Sequence, residues 1–228
     1  MCLDPCNTVC VISGRKCSWM KKKFGHIENL WIVAENGYYY GLNKKKGSLS
    51  FNPMMEIKDW GWKTTVLDIM KSYQERTDGS TVTVKDSSVF WLYRNVDTDF
   101  GIKESNELVA HLHSMLKYLP LDIVHGKDYV EVKPAGVDKG GFTKYLLSKL
   151  TENKGRLDFV LCMGDSQTDE AMFKQIKEFM SIKEMDKKFF CITVGQKVSE
   201  ANHYVNDHKE AISTLGDILL MAIEVFNI

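Results

Sequence analysis

Four short apolar runs decide what this chain can fold into. They are "TVCVISGR" (8–15), "LWIVAENG" (30–37), "FVLCMGD" (159–165) and "FFCITVG" (189–195). Each is continuously apolar or β-branched and each stops at Gly, Ser or Asp. A continuous run of that length reads as a strand buried on both faces, whereas a half-exposed strand would alternate. Helical patterns sit between the runs. "DEAMFKQIKEF" (169–179) places Met172, Phe173 and Ile176 on one face, and "GGFTKYLLSKL" (140–150) groups Phe142, Leu146, Leu147 and Leu150. Buried strands alternating with amphipathic helices predict an α/β fold with a parallel sheet covered on both faces. Ligands of such sheets bind outside the carboxyl ends of the strands, and Ser13, Asp165 and Gly195 fall at that edge.

The middle of the chain follows another pattern. "WKTTVLDIMKSYQERT" (62–77) and "NELVAHLHSMLKYL" (106–119) are amphipathic helices. "STVTVKDSSVFWLYRNV" (80–96) and "DIVHGKDYVEVK" (122–133) alternate as antiparallel strands do, with a turn at Gly126-Lys127. The expected organisation is a core of residues 1–52 and 135–228 with an α+β unit, 53–134, inserted into it. "VFWLY" (89–93) belongs to the core of the insert, and "KKKGS" (44–48) and "KEMDKK" (183–188) are surface connections.

Composition narrows the function classes. Lys+Arg and Asp+Glu balance at 30 each, so no global charge argues for nucleic acid or an anionic membrane. No apolar stretch is long enough to span a bilayer, and "MCLDPCNTVC" lacks the regions of a signal peptide. The six cysteines form no C-x-x-C pair and no zinc-finger spacing. Cys10, Cys162 and Cys191 lie inside apolar runs, where a thiol behaves as a small hydrophobe. That usage points to a reducing compartment, the cytosol.

Chemistry concentrates at the strand ends. Asp165, with Asp169 and Glu170 after it, suits a hard cation such as Mg2+, which takes one or two carboxylates and keeps water or phosphate elsewhere. The same residues also suit capping of a helix N-terminus, and spacing does not separate the two readings. Lys139 in "GVDKGG" precedes a helix and would neutralise a phosphate together with the amides of Gly140 and Gly141, or be a solvated lysine in a turn. Ser13 and Arg15 offer a hydroxyl and a guanidinium fork at another strand end. Glu131 and Lys133 share one face of a strand, either exposed or as a clamp on sugar hydroxyls.

Taken together, "DPCNTVCVISGR", "AENGYYY", "YQERTDGSTV", "VFWLYRNVDTDFG", "YVEVKPAGVDKGG", "DFVLCMGDSQTDEAMF" and "TVGQKVSEANHYVND" resemble the trehalose-6-phosphate phosphatase family of the haloacid dehalogenase superfamily. The likeness extends to the C-terminal phosphatase-like domain of plant-type trehalose-phosphate synthases. It implies a Rossmann-like core with an inserted cap, a cytosolic setting, Mg2+ as cofactor, and trehalose 6-phosphate and a synthase domain as partners. By it Ser13 and Lys139 match phosphoryl-holding catalytic residues, and Asp165 matches a metal ligand with Asp169 behind it. Arg15, Glu131 and Lys133 match substrate-binding positions.

The departures from the family carry equal weight. The family's nucleophile and general acid lie in a D-x-D-G-T motif on the first core strand. The only D-x-D here is Asp97-Thr98-Asp99, which reads as a turn. By the resemblance the chain begins after the motif, in the helix leading to the next strand. The first core strand is therefore expected to be missing, and the chain to be inactive as it stands. Mg2+ binding is expected to be weakened or lost. If the core keeps its form, the "TVCVIS" and "FVLCM" strands stand about 9–10 Å apart, two strand spacings. Direct pairing would mean that the sheet has closed up. The alternative function is a non-catalytic sugar-phosphate-binding or interaction module of a synthase.

Overall fold

β-branched and apolar side chains fit a pleated backbone better than a helix, and all four runs form strands. The computed structural model describes residues 1–155, 157–182 and 189–226, so "KEMDKK" lies outside the described residues. The chain folds as two compact units, one of Met1–Asn52 with Asp138–Ile228 and one of Pro53–Val137.

In the first unit, residues 1–8 form turns and extended backbone instead of the expected helix. β1 (Val9–Ile12) is followed by α1 (Cys17–Phe24) and runs parallel to β2 (Leu30–Ala34), with Val9 opposite Leu30. No crossover follows β2. Glu35, Asn36 and Gly37 take φ of 49°, 57° and 111°, and the chain doubles back as β3 (Tyr39–Asn43), antiparallel to β2. Positive φ at consecutive non-Gly residues is uncommon. At Gly37 a side chain is also excluded by packing, because a Cβ there would stand 2.5 Å from the Asp138 carbonyl oxygen. β4 (Asn52–Pro53) completes the order β1-β2-β3-β4. The expected all-parallel sheet is thus mixed. β3 escapes sequence reading because Gly41 and Asn43 interrupt its apolar pattern, and β4 is two residues long. Met20, Leu30, Ile32, Ala34 and Leu49 form the core here.

The second unit contains α2 (Trp62–Arg76), β5 (Thr81–Val84), β6 (Val89–Leu92), α3 (Thr98–Leu116), β7 (Leu121–Gly126) and β8 (Tyr129–Pro134). Its strands are antiparallel in the order β5-β6-β8-β7. Alternation puts Val89, Trp91, Val130 and Val132 on one face, packed with Val66, Met70, Tyr73, Leu108 and Leu112. Phe90 and Glu131, opposite one another in register, share the other face. Asp97-Thr98-Asp99 is not a turn but the start of α3. Asp97 is the N-cap, its carboxylate accepting from the Phe100 amide at 3.1 Å.

The chain then returns to the first unit through α4 (Lys139–Lys154), β9 (Val160–Gly164), α5 (Glu170–Ile182), β10 (Phe189–Val194), β11 (His203–Val205) and α6 (His208–Phe226). The sheet β11-β10-β9 is parallel, with Cys191 opposite Cys162. Leu147, Phe173, Ile176, Met180 and Cys191 are its core. α4 spans both sheets of this unit. Its Phe142 and Tyr145 rings lie 5.6 and 5.2 Å from the Tyr40 ring of β3, while Leu147 packs among the α5 residues. β1 and β9 each end a sheet, and they do not pair with one another. No described helix is long and apolar enough to cross a membrane.

Candidate functional site

The site grows from the carboxyl end of β9. After Gly164 the chain passes through Asp165 and Ser166 into a single tight turn, Gln167–Asp169, that opens α5. Ser166 and Asp169 form a reciprocal capping box. One Asp169 oxygen accepts from the amides of Asp165 (2.9 Å) and Ser166 (2.8 Å) and from the Ser166 hydroxyl (2.8 Å). The other accepts from Lys139 Nζ at 2.6 Å. Burial by itself raises the Asp169 carboxyl. The Lys139 ammonium and the Ser166 amide and hydroxyl outweigh it, leaving the group below the usual carboxylate range.

Gly164 makes this approach possible. A Cβ there would lie 2.4 Å from Asp169 Cβ. Gly164→Ala is expected to push Asp169 off Lys139 and to cost about 1–3 kcal/mol, the range for forced overpacking. Thermal unfolding measures the loss, and the wild-type stability in this variant would show that the turn moves freely.

Lys139 is the first residue of α4 and is 8% exposed, so the solvated-lysine reading is set aside. An ammonium has three donors, and one of them holds Asp169. The expected cradle of glycine amides is altered, because the Gly141 N–H donates to the N-cap Asp138 at 2.6 Å. Ser13 follows β1. Its amide donates to the Val33 carbonyl and its carbonyl accepts from Asn36. Its Oγ accepts from the Arg15 amide at 3.3 Å, leaving the hydroxyl hydrogen to donate. The same turn reaches α4 through the contact of Gly37 on Asp138. One series of hydrogen bonds, chain neighbours and a close packing contact (Gly37 on Asp138) thus links Ser13, Asn36, Gly37, Asp138, Lys139, Asp169 and Asp165. Arg15 is exposed, with its guanidinium 5.5 Å from the Trp19 ring centroid.

One contributor, Lys197, escaped the sequence, and Glu170, read there beside Asp165 and Asp169, is engaged by another loop. Lys197 donates to the Asp165 carbonyl. Glu170 accepts from the Ser199 hydroxyl at 2.9 Å and the Glu200 amide at 2.6 Å, tying the loop after β10 to the start of α5. A lysine two residues beyond Gly195 carries no periodic signal, so only the position of that loop reveals it.

Glu131 and Lys133 lie on β8 in the other unit, and both are buried instead of forming an exposed strand face. Lys133 Nζ donates to the Val137 carbonyl at 2.6 Å, bracing the chain just past the strand.

The donors test poorly as a cation site. No group of three or more His, Cys, Asp or Glu side chains among the described residues could hold a metal. Both Asp169 oxygens are already engaged, and the exposed Asp165 carboxylate remains as a single ligand with the Lys197 ammonium bonded to its own carbonyl. One carboxylate serves Mg2+ only where phosphate and water supply the other positions.

Comparison with known proteins agrees with this geometry. A profile of the trehalose-phosphatase family matches residues 1–209. A probable alpha,alpha-trehalose-phosphate synthase [UDP-forming] 7 from Arabidopsis thaliana is 36% identical over 220 residues, 96% of this chain and 26% of the relative. The chain therefore spans about a quarter of the length of the curated relatives it matches. The C-terminal domain of a C. albicans trehalose-6-phosphate phosphatase superposes with a TM-score of 0.78 at 28% identity, covering 94% of this chain and 78% of that one. The C-terminal domain of a Candida albicans trehalose synthase regulatory protein shares the fold at 16% identity, with a TM-score of 0.71 and coverage of 89% and 78%. Strand-end chemistry, the inserted unit and the family match agree, and the chain belongs to the trehalose-phosphatase family, with its haloacid dehalogenase-type fold.

Proposed function

We propose that this domain, as it stands, binds a sugar phosphate without hydrolysing it, as a phosphatase-like regulatory part of trehalose metabolism. The observation that carries the reading is the buried Lys139–Asp169 pair at the start of α4. Asp169 is held by four protein donors, so it fixes Lys139 and leaves the remaining ammonium hydrogens to a phosphoryl group. The Ser13 hydroxyl supplies a further donor. Glu131 and Lys133, adjacent on one face of β8, are the candidates for sugar hydroxyls, and Arg15 for a peripheral phosphate contact. Residues 1–52 with 135–228 act as the phosphate-binding core and 53–134 as the cap.

Turnover by the family's route needs the nucleophilic aspartate of a D-x-D-G-T motif, which this sequence does not contain. Its one Asp-x-Asp caps α3. Mg2+ is held weakly, through Asp165 and the ligand's own oxygens. Support for a synthase as partner comes from the relatives, named synthases, in which the matching region is one part of a longer polypeptide. Six free thiols support a cytosolic setting.

Calorimetry tests the reading. Trehalose 6-phosphate is expected to bind and trehalose not to. Lys139→Met should weaken binding by about 10–150-fold, the value of a charged hydrogen bond. No binding at millimolar ligand sinks the reading, and so does steady phosphate release that disappears in Asp165→Asn.

A further inference from the structure

The unit of Pro53–Val137 is a four-stranded sheet with both of its helices on the Trp91 face. An antiparallel sheet packed on one side normally turns a polar, solvated face outward. The second face here departs from that rule. Register sets Phe90 opposite Glu131 and Gly126 opposite Tyr129, and alternation along β8 puts Tyr129, Glu131 and Lys133 on the same side. Glu131 is 4% exposed and Phe90 9%, while Tyr129 is half-buried. Two aromatic rings therefore stand beside a buried carboxylate, on the side away from α2 and α3.

The position of the Tyr129 ring follows from its partner across the hairpin. A Cβ on Gly126 would stand 2.2 Å from that ring, so the ring lies over the glycine backbone, across the neighbouring strand. Phe90 braces its flank, with ring centroids 5.8 Å apart and planes at 49°. Lys85 Nζ lies 4.0 Å from the Phe90 ring centroid and holds that ring in turn. Glu131 is close enough to raise the Tyr129 hydroxyl, behind burial as the larger cause. Phe90 is nearly closed off between Lys85 and Tyr129. Tyr129 keeps an open part of its ring, backed by Gly126 and flanked by a carboxylate.

A pyranose with equatorial hydroxyls carries polar groups around its rim and C–H groups on its faces. Charged side chains suit the rim, and a flat apolar ring suits the face. We infer that Tyr129 is a specificity-determining residue, its ring the platform on which one pyranose ring of the ligand stacks while Glu131 accepts from that ring's hydroxyls. This role rests on the sugar-phosphate reading and sharpens it. Hydroxyl contacts alone accept many polyols, whereas an aromatic platform selects a flat, closed sugar ring. A phosphate ester without a pyranose satisfies Lys139 as well and gains nothing from Tyr129.

Calorimetry on the full chain tests this with two ligands, trehalose 6-phosphate and glycerol 3-phosphate. The wild type should prefer trehalose 6-phosphate. Tyr129→Ala should weaken that ligand by at least about fivefold and leave glycerol 3-phosphate unchanged. Tyr129→Leu, which keeps apolar bulk over Gly126 and so guards against a folding defect, should behave as Tyr129→Ala does. Tyr129→Phe keeps the ring and should keep the preference. Undiminished trehalose 6-phosphate binding in Tyr129→Leu, or equal weakening of both ligands, would overturn the platform. Tyr129→Phe as weak as Tyr129→Ala would assign the effect to the hydroxyl and overturn it too. A wild type that binds both ligands equally removes the role of Tyr129 alone. A wild type that binds neither removes the sugar-phosphate reading, and the platform with it.

Discussion

Asp169→Ala is expected to destabilise the protein by about 3–5 kcal/mol, the range for removing one partner of a buried ion pair. In a domain of this size that corresponds to roughly 6–20 °C in Tm. The change strands the Lys139 ammonium, 8% exposed, and takes the acceptor from the amides of Asp165 and Ser166. Lys139→Met in the same background should recover part of the loss, because no buried charge is then left unpaired. The pH dependence identifies the cause. Asp169 lies below the usual carboxylate range in the folded state, against about 3.9 when unfolded. Its contribution is present above about pH 4 and is lost as pH falls through the lower folded value. The gap between wild type and Asp169→Ala should thus stay constant from neutrality to about pH 4 and narrow below it. A gap that ignores acid would assign the loss to packing instead of charge. The same variant should lose sugar-phosphate affinity, since Lys139 is no longer held in place.

Trp91→Ala should cost a similar amount, about 3–5 kcal/mol, by a different mechanism. Trp91 is fully buried at the centre of the inserted unit. Its ring stacks on Tyr93 at 5.0 Å and meets the edge of Tyr73 at 6.4 Å, and its indole N–H donates to Ser80 Oγ at 3.2 Å. Truncation leaves a cavity and an orphaned hydroxyl between β6 and both helices. The core residues of Pro53–Val137 form a cluster distinct from those of the other unit. Amide exchange should therefore accelerate in β6 and β8 while β9 and β10 keep their protection. Uniform acceleration in both units would show that they unfold as one.

The two variants mark the limits of pattern reading. Trp91 was legible, since "VFWLY" alternates and only one of its faces can be buried. The pairing of Lys139 with Asp169 was not. Thirty positions separate them, and no local period links a helix start on α4 to a turn on α5. Asp97 shows the converse. As an isolated Asp-x-Asp it invites a catalytic reading or a turn, but its hydrogen bond to the Phe100 amide makes it a helix cap. Lys133 resembles a sugar clamp by position, and its ammonium is already bonded to the Val137 carbonyl.

By itself the sequence determined the four buried strands, the inserted α+β unit and the edge where chemistry gathers. Apolar runs, alternation and helical period are local, and each dictates which face of an element must leave water. It also determined, through its motifs, the family. The tertiary structure alone decided that β2 folds back on β3, that Asp169 is a fixed acceptor and not a free ligand, and that β1 and β9 each end a sheet and do not pair with one another. Those outcomes depend on which distant backbone groups meet, and a strand's pattern says that it must pair without saying with what.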